Sequence, residues 1–348
     1  MPPAAGNGAE LVRLRVLWTH NFDPNDPSKG SFMHTSAQGL RARGVDLRLE
    51  YLGNLRSPMQ VLRARARVKE LAPDYDLVHA QFGSACALAT AGAEGVPKLL
   101  SIRGNDWATH DATFGFLYFH TRVAAHLTRR TINSFDGIIA VSRRLAMQVT
   151  GLAPDALVVV LPSPIDLTVF SPQDRVKAKA QLGHPHSREK WILFNSVDLK
   201  NPIKRFDLAQ EAFEIAQATH GNLRLRLATK LPRDQMALFV AACDLILCTS
   251  ETEGWPNSIK EALACNVPFV ATDVSDLRDI AAVDSGCRVC AADAGVLASN
   301  ICDVLSMEDP HDLRRHVAWM SVDSIAEQML ATYQTVLSRY PQRQPPRA

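Results

Sequence analysis

The stretch "DLILCTSETEGWPNSIKEALACNVPFVATD", residues 244–273, carries the strongest architectural signal in the chain. Its apolar run at 244–250 has the length of a buried strand and is too short for a helix of ordinary size. A polar turn with Gly254 and Pro256 follows, and helical spacing of apolar residues begins near Asn257, because proline suits a first helical turn. The helix at 257–265 then gives way to the β-rich "PFVATD". Strand, turn, helix and strand in so short a span make a βαβ unit, whose two strands lie parallel.

In parallel α/β sheets ligands gather beyond the carboxyl ends of the strands, which is where the turn at 251–256 belongs. The free N–H groups of Asn257, Ser258 and Ile259 point out of the helix start there and suit a phosphate. Two glutamates bracket this start: Glu253 in the loop, and Glu261 one turn inside, on the face of Asn257. A carboxylate repels phosphate but accepts paired hydroxyls, so each glutamate is better matched to a diol. Diols on both sides of a phosphate describe a nucleotide sugar. For the pair by itself, the competing account is a cap: Glu253 complements the helix dipole and Glu261 is simply exposed.

Outward from this unit, strand-like and helix-like segments alternate. Strands are expected at 14–20, 46–52, 76–82, 97–104, 137–142 and 156–162, with helices at 32–44, 59–71 and about 117–133. A proline-bearing polar segment interrupts at about 163–188. Alternation resumes with strands at 191–197, 223–229, 244–250 and 268–273 and helices at 205–218, 232–242 and 257–265. The pattern predicts two tandem doubly wound α/β domains, residues 1–165 and 188–319, joined by a linker at 166–187 and facing each other across a ligand cleft. An apolar helical repeat at 320–340 is expected to pack on the first domain, and 341–348 to form a disordered tail.

Composition narrows the class. The chain has 348 residues, 47% hydrophobic and 21% charged, as a soluble globular protein of two domains would. No apolar run reaches transmembrane length and the N-terminus lacks a signal-peptide pattern, so the expected location is cytoplasmic. The odd count of seven cysteines fits reduced thiols, and Cys287 and Cys290, although spaced CxxC, read as structural. A net charge of +2 excludes a general nucleic-acid binder. The basic segment 61–70, with Arg63, Arg65, Arg67 and Lys69, reads as a solvated helix face; contact with an anionic membrane at the inner leaflet is its alternative. No GxGxxG or GxxxxGK[ST] occurs, which argues against nicotinamide, flavin and P-loop sites.

Residues 250–277, "SETEGWPNSIKEALACNVPFVATDVSDL", resemble the signature of family 4 of the retaining glycosyltransferases, two glutamates separated by seven residues in a GT-B fold. Similar segments occur in order along most of the chain: "SKGSFMHTSAQGLRARGVDL" at 28–47, "DLVHAQFG" at 76–83, "SIRGNDW" at 101–107, "FDGIIAVSRRL", "VVVLPSPIDLTVFSP" and "NPIKRFDLAQEAF" at 201–213. The resemblance implies a GT-B protein of two Rossmann-like domains. Glu261 would hold the nucleotide ribose, Glu253 the transferred sugar, and the backbone of Gly254, Trp255, Pro256, Asn257 and Ser258 the sugar and diphosphate. Lys204 would contact the diphosphate and stabilise charge on the leaving group, a task for which a fixed cation and helix N–H groups need no metal. Gly30 would let backbone approach the same phosphates from the first domain.

Three departures stand out. The family's His-Gly-x-Asp is here Arg103-Gly104-Asn105-Asp106, and arginine is a poor general base that would instead add positive charge near the diphosphate. No arginine precedes Lys204 in "LFNSVDLK", leaving Lys200, Arg205 or Arg103 to compensate. Ser163-Pro164 replaces an Asn-Gly turn. Asp106 is read either as orienting acceptor or sugar, or as a plain turn carboxylate. Trp255 is read as covering a sugar face or as core. Asp74-Tyr75-Asp76, a DxD, reads as a turn rather than a metal site, His79 and His110 as structural, and the His184–His186 pair as incidental to chemistry.

The expected activity is transfer of a hexose-type sugar from a nucleoside diphosphate, a UDP-sugar preferred, to the hydroxyl of a lipid-linked saccharide, small molecule or growing polysaccharide. Retention is implied by the resemblance, and no cofactor or metal is expected. The competing readings are a nucleotide-sugar epimerase-type enzyme and a non-catalytic GT-B-like binding protein.

Overall fold

The computed structural model describes residues 13–26, 30–104, 106–107, 116–229, 231–307 and 312–343. The first lobe runs β1 (Arg15–His20), α1 (Ser31–Ala42), β2 (Asp46–Tyr51), α2 (Pro58–Leu71), β3 (Leu77–Ala80), α3 (Ser84–Thr90), β4 (Lys98–Ile102), α4 (Phe116–Thr131), β5 (Gly137–Ala140), α5 (Arg143–Thr150) and β6 (Leu157–Val160). The second comprises α6 (Arg175–Gln181), β7 (Lys190–Asn195), α7 (Phe206–His220), β8 (Leu223–Ala228), α8 (Arg233–Ala241), β9 (Leu245–Cys248), α9 (Asn257–Ala264), β10 (Phe269–Thr272), α10 (Leu277–Ala281), β11 (Arg288–Cys290) and α11 (Ala294–Leu305). A last helix, α12 (Val322–Arg343), follows.

Both sheets are parallel, in the orders β2-β1-β3-β4-β5-β6 and β11-β10-β9-β7-β8. Inner strands such as "LVHA" and "LILC" are buried at every position, as strands covered by helices on both faces must be. The order reverses between β1 and β3 and again between β7 and β9, and the loops leaving those strands therefore open toward ligand-binding crevices.

Several elements differ from the sequence reading. A short helix, α3, joins β3 to β4; its run of alanines and small polar residues has little amphipathic contrast. The segment expected as linker contains α6, which is part of the second lobe: Lys179 lies on its buried face and donates to Asp244 at 2.7 Å, and Ala178 is buried beside it. β11 is a three-residue edge strand that holds Cys290 of the CxxC pair, with Cys287 just before it. Burial raises both thiols, Cys287 to about 12. The last helix continues to Arg343, past the expected end at 340, and 344–348 lie outside the described residues.

α12 packs on the first lobe, as its apolar stripe predicts. Ile325, Ala326, Met329, Tyr333 and Val336 share a core with Trp18, Met33 and Leu40. Gly39 on α1 is needed there, since a Cβ would come within 3.0 Å of Ala326. The Tyr333 hydroxyl accepts from Trp18 Nε1 at 2.8 Å and is bonded to His79 Nδ1 at 2.8 Å. Two strands of chain thus cross between the lobes, and they meet: Ile165 N donates to Met320 O at 2.9 Å. The Arg314 guanidinium ties the crossing to the Leu167, Phe170 and Ala264 carbonyls.

Candidate functional site

The lobes face each other across a divided cleft. One cavity, of about 650 Å³, is lined by Ser31, Phe32 and Thr35 of α1, by Asn195 at the end of β7 and Val197 beyond it, and by Asn257, Lys260 and Glu261 of α9. A second, of about 370 Å³, is lined by Ser142, Arg144 and Gln148 beside α5 and by Glu251, Thr252, Glu253 and Asp273 from the other lobe. Gly104 and Gly254 stand where the lobes touch. A Cβ on Gly254 would lie 1.9 Å from the Arg103 carbonyl oxygen, and one on Gly104 would lie 2.7 Å from Gly254 N. Gly104 also has φ +115°, which excludes most other residues.

Lys204 and Glu253 come together as expected. Asn201 caps a short turn at Pro202–Lys204, and Thr249, leaving β9, donates to the Lys204 carbonyl at 2.8 Å. The turn so held projects the Lys204 ammonium onto Glu253 Oε1 at 2.5 Å, and Ser250 Oγ donates to the same oxygen at 2.8 Å. Burial pulls the ammonium pKa down, but Glu253 and Cys248 beside it more than offset this, and the net shift is upward. Lys204 therefore stays cationic across the neutral range. Lys200, in contrast, is exposed.

Helix α9 begins as read, with Pro256 at its N-cap and no side chain capping it. Its leading N–H groups therefore lack intrahelical partners and face the cleft end of the lobe. Glu261 opens into the larger cavity, and Glu253 into the smaller, which Gly104 and Gly254 also line. Ser275 Oγ donates to the Gly254 carbonyl at 2.6 Å and fixes this loop from below. Gly30 stands at the N-cap of α1 with φ +74°, and its would-be Cβ meets Phe22 at 3.1 Å.

Other expectations resolve differently. Asp106 is fully buried, and its carboxylate accepts from the backbone N–H groups of Gly83, Arg103 and Gly104 at 2.8–2.9 Å. Burial raises its pKa against those bonds. This is a turn carboxylate shaping the segment that meets Gly254, and it does not face either cavity. Arg103 lines neither cavity: Nε and Nη2 donate to the Gln81 backbone and side-chain oxygens, and Nη1 to Ser163 Oγ. Trp255 is buried, with the Lys260 ammonium 5.6 Å from its ring, so its core role is the one observed. His79 bonds Tyr333 and Ser101 in the interior, and burial holds it well below its usual pKa. His184 packs edge-on to Trp191. Asp76 accepts from Arg15 N at 2.8 Å and ties the entry of β3 to the start of β1. Asn105 and His110 lie outside the described residues.

On α2, Arg67 pairs with Glu50 and Glu70, and Lys69 with Glu94, in keeping with a solvated face. Met59 and Leu62 are exposed on the same helix. Among the described residues no helix is long and apolar enough to cross a membrane, and no His, Cys, Asp and Glu side chains gather in threes to hold a metal.

Sequence reading missed two seam residues. Lys260 is 1% exposed, and its Nζ donates at 2.6 Å to the Ser163 carbonyl of the crossing strand. Burial lowers its pKa to about 7, with Glu261 opposing and Arg103 reinforcing the shift. Its signal was a lysine on the buried stripe of α9. Asp276 accepts from Arg143 N at 2.8 Å and Arg144 N at 3.0 Å, capping a helix of the opposite lobe; nothing local in sequence marks such a partner.

Comparison with known proteins agrees with this architecture. The model for Glycosyltransferase Family 4 matches residues 12–169, and that for Glycosyl transferases group 1 matches residues 197–307. A Bacillus subtilis glycosyltransferase named for teichuronic acid biosynthesis, TuaC, is 23% identical over 337 residues, covering 77% of this chain and 83% of the relative. The D-inositol 3-phosphate glycosyltransferase 1 of Catenulispora acidiphila is 26% identical over 323 residues, covering 76% and 73%. Among solved structures, sucrose-phosphate synthase from Thermosynechococcus elongatus superposes with a TM-score of 0.73 at 14% identity, covering 94% of this chain and 100% of that one. The Anabaena protein HepE, in complex with UDP and glucose, superposes at 0.63 and 15% identity, covering 93% and 100%. With the first lobe matched by the Glycosyltransferase Family 4 model, the second by the Glycosyl transferases group 1 model, and the paired parallel sheets shared with those structures, the chain belongs to family 4 of the GT-B glycosyltransferases and is a glycosyltransferase.

Proposed function

We propose that this glycosyltransferase moves a hexose-type sugar from a nucleoside diphosphate, uridine diphosphate preferred, to an acceptor hydroxyl with retention of configuration and without a metal ion. The observation that carries the reading is the Lys204–Glu253 pair beside the uncapped start of α9. Glu261 holds the ribose diol, the α9 N–H groups and Lys204 hold the diphosphate, and Glu253 turns to the sugar hydroxyls. As the glycosyl–phosphate bond breaks, negative charge grows on the diphosphate, and a fixed cation with helix N–H groups stabilises it more than it stabilises the bound donor. Closure of the lobes excludes water that would compete with the acceptor.

The bound UDP of HepE, a protein of the same fold, supports the choice of base, and the teichuronic acid name of TuaC supports a polysaccharide or glycoconjugate acceptor. Thermal-shift measurements against UDP, GDP, ADP and their sugars, with excess EDTA, test the reading. Stabilisation by one nucleotide, and acceptor-dependent release of that nucleotide from its sugar donor, are expected; NMR of the product anomer reads retention. Loss of all turnover in EDTA, restored by a divalent ion, would refute the metal-free mechanism. Interconversion of the donor sugar without an acceptor would replace transfer by epimerisation.

A further inference from the structure

The arginine that stands in place of the family's histidine is placed in a way that defines a different job for it. Its guanidinium is clamped on three sides: Nε to Gln81 O at 2.9 Å, Nη2 to Gln81 Oε1 at 3.0 Å, and Nη1 to Ser163 Oγ at 3.0 Å. The Phe32 ring lies 4.0 Å below. To serve Arg103 the Gln81 amide turns its oxygen inward, leaving its buried Nε2 with no partner among the described residues. A flexible contact with a passing ligand would not justify that orphaned donor. Ser163, itself a departure from the family pattern, links the clamp onward, for its carbonyl accepts from Lys260 Nζ on α9.

We propose that Arg103 is a positioning residue: through Gln81, Ser163 and Phe32 its fork sets the height of the Arg103–Gly104 backbone over Gly254, and through Ser163 and Lys260 it ties that height to the donor helix. The planar fork suits this, since three donors in fixed directions reach three acceptors on two separate segments, and a lysine ammonium cannot span them. Charge near the diphosphate is then left to Lys204. This rests on the nucleotide-sugar reading for its kinetic consequence but not for its structural one.

The test compares Arg103→Lys, Arg103→Ala, Ser163→Ala and the Arg103→Lys/Ser163→Ala double variant. If Arg103 positions backbone, Lys and Ala at 103 lower kcat by similar factors, on the order of 10–100-fold, because misplacement by about 1 Å costs that much. The Kd for UDP stays within about twofold, and Ser163→Ala adds little once Arg103 is gone, as coupled residues behave. A near-normal Arg103→Lys beside an Arg103→Ala whose UDP affinity falls about tenfold or more would overturn the proposal and make Arg103 a charge contact. Amide exchange gives a readout independent of turnover. The N–H of Gly104 donates to Asp106 and that of Trp107 to Gly104 O; both should exchange faster in Arg103→Lys and in the milder Ser163→Ala. Unchanged exchange in Ser163→Ala would sink the strut even if the Arg103 variants fail to fold. Absence of UDP binding by the wild type would refute the donor assignment alone, with the exchange comparison still deciding this one.

Discussion

Replacing Gly254 by alanine isolates the contact between the lobes. Gly254 is not among the residues with positive φ, so alanine imposes no backbone strain there and acts through its methyl group alone. That methyl would sit 1.9 Å from Arg103 O, 2.7 Å from Arg103 C and 2.8 Å from Val141 Cγ2. Because Cβ contacts below 3.0 Å essentially do not occur, the seam must widen by about 1.1 Å, the difference between the two distances. The two nearest neighbours that would have to give are backbone, and cross-lobe bonds resist them: Asp276 to the N–H groups of Arg143 and Arg144, and Lys260 to Ser163. Overpacking of this kind costs about 1–3 kcal/mol. The expected variant folds with a Tm lowered by a few degrees. A shift of about 1 Å between reacting groups lowers kcat by about 100-fold. Initial rates of nucleotide release with and without acceptor measure kcat, calorimetry measures stability, and circular dichroism checks the fold. Wild-type kcat together with an unchanged Tm would show that the lobes do not meet at Gly254 in the working enzyme.

Other perturbations have equally definite outcomes. Lys204→Ala should lower kcat by about 100-fold or more, as loss of a preorganised charge-stabilising group does; steady-state kinetics with the preferred donor would read it, and a change confined to KM would contradict the role. Lys260→Met should remove a pH dependence of stability. Burial lowers this lysine from 10.5 to about 7, so the folded chain binds fewer protons than the unfolded chain between those values. Wild-type stability therefore rises with pH through that window, by at most about 1.4 kcal/mol per unit, and is flat in this respect below it. Denaturant midpoints at pH 7 and 9 should show a smaller rise in the variant. Tyr333→Phe leaves the buried Trp18 and His79 nitrogens without their shared hydroxyl and should cost about 1–3 kcal/mol in calorimetry while leaving UDP affinity unchanged.

Much of the fold can be read locally because parallel α/β units announce themselves by length and period. Runs such as "LILC" and "FVAT" are too short and too apolar to be anything but covered strands. The reading also passed over α5, α10 and α11; of what escaped it, the alanine-rich α3, the three-residue β11, and α6 among prolines and histidines lacked that contrast. At the site, the place of Glu253 in the turn before α9 and of Glu261 one turn inside it was legible from helical spacing, and Lys204 only through the family resemblance. The tasks of Arg103, Asp106 and Lys260 were not, because each is decided by a partner far along the chain. Asp106 is defined by the N–H of Gly83, Arg103 by Gln81 and Ser163, and Lys260 by a carbonyl 97 residues away. A carboxylate or guanidinium looks the same in sequence whether it meets substrate or backbone.

The docking of the final helix onto the opening lobe has a consequence for biosynthesis. Chains emerge from the ribosome amino end first, and domains generally fold as they appear. Here the first lobe leaves the Trp18–Met33–Leu40 furrow bare until α12, made after the second lobe, arrives. The second lobe can complete itself meanwhile, so the order of maturation inverts the order of synthesis. A ribosome stalled anywhere before α12 would hold a nascent polypeptide with an open greasy groove, a natural client for chaperones.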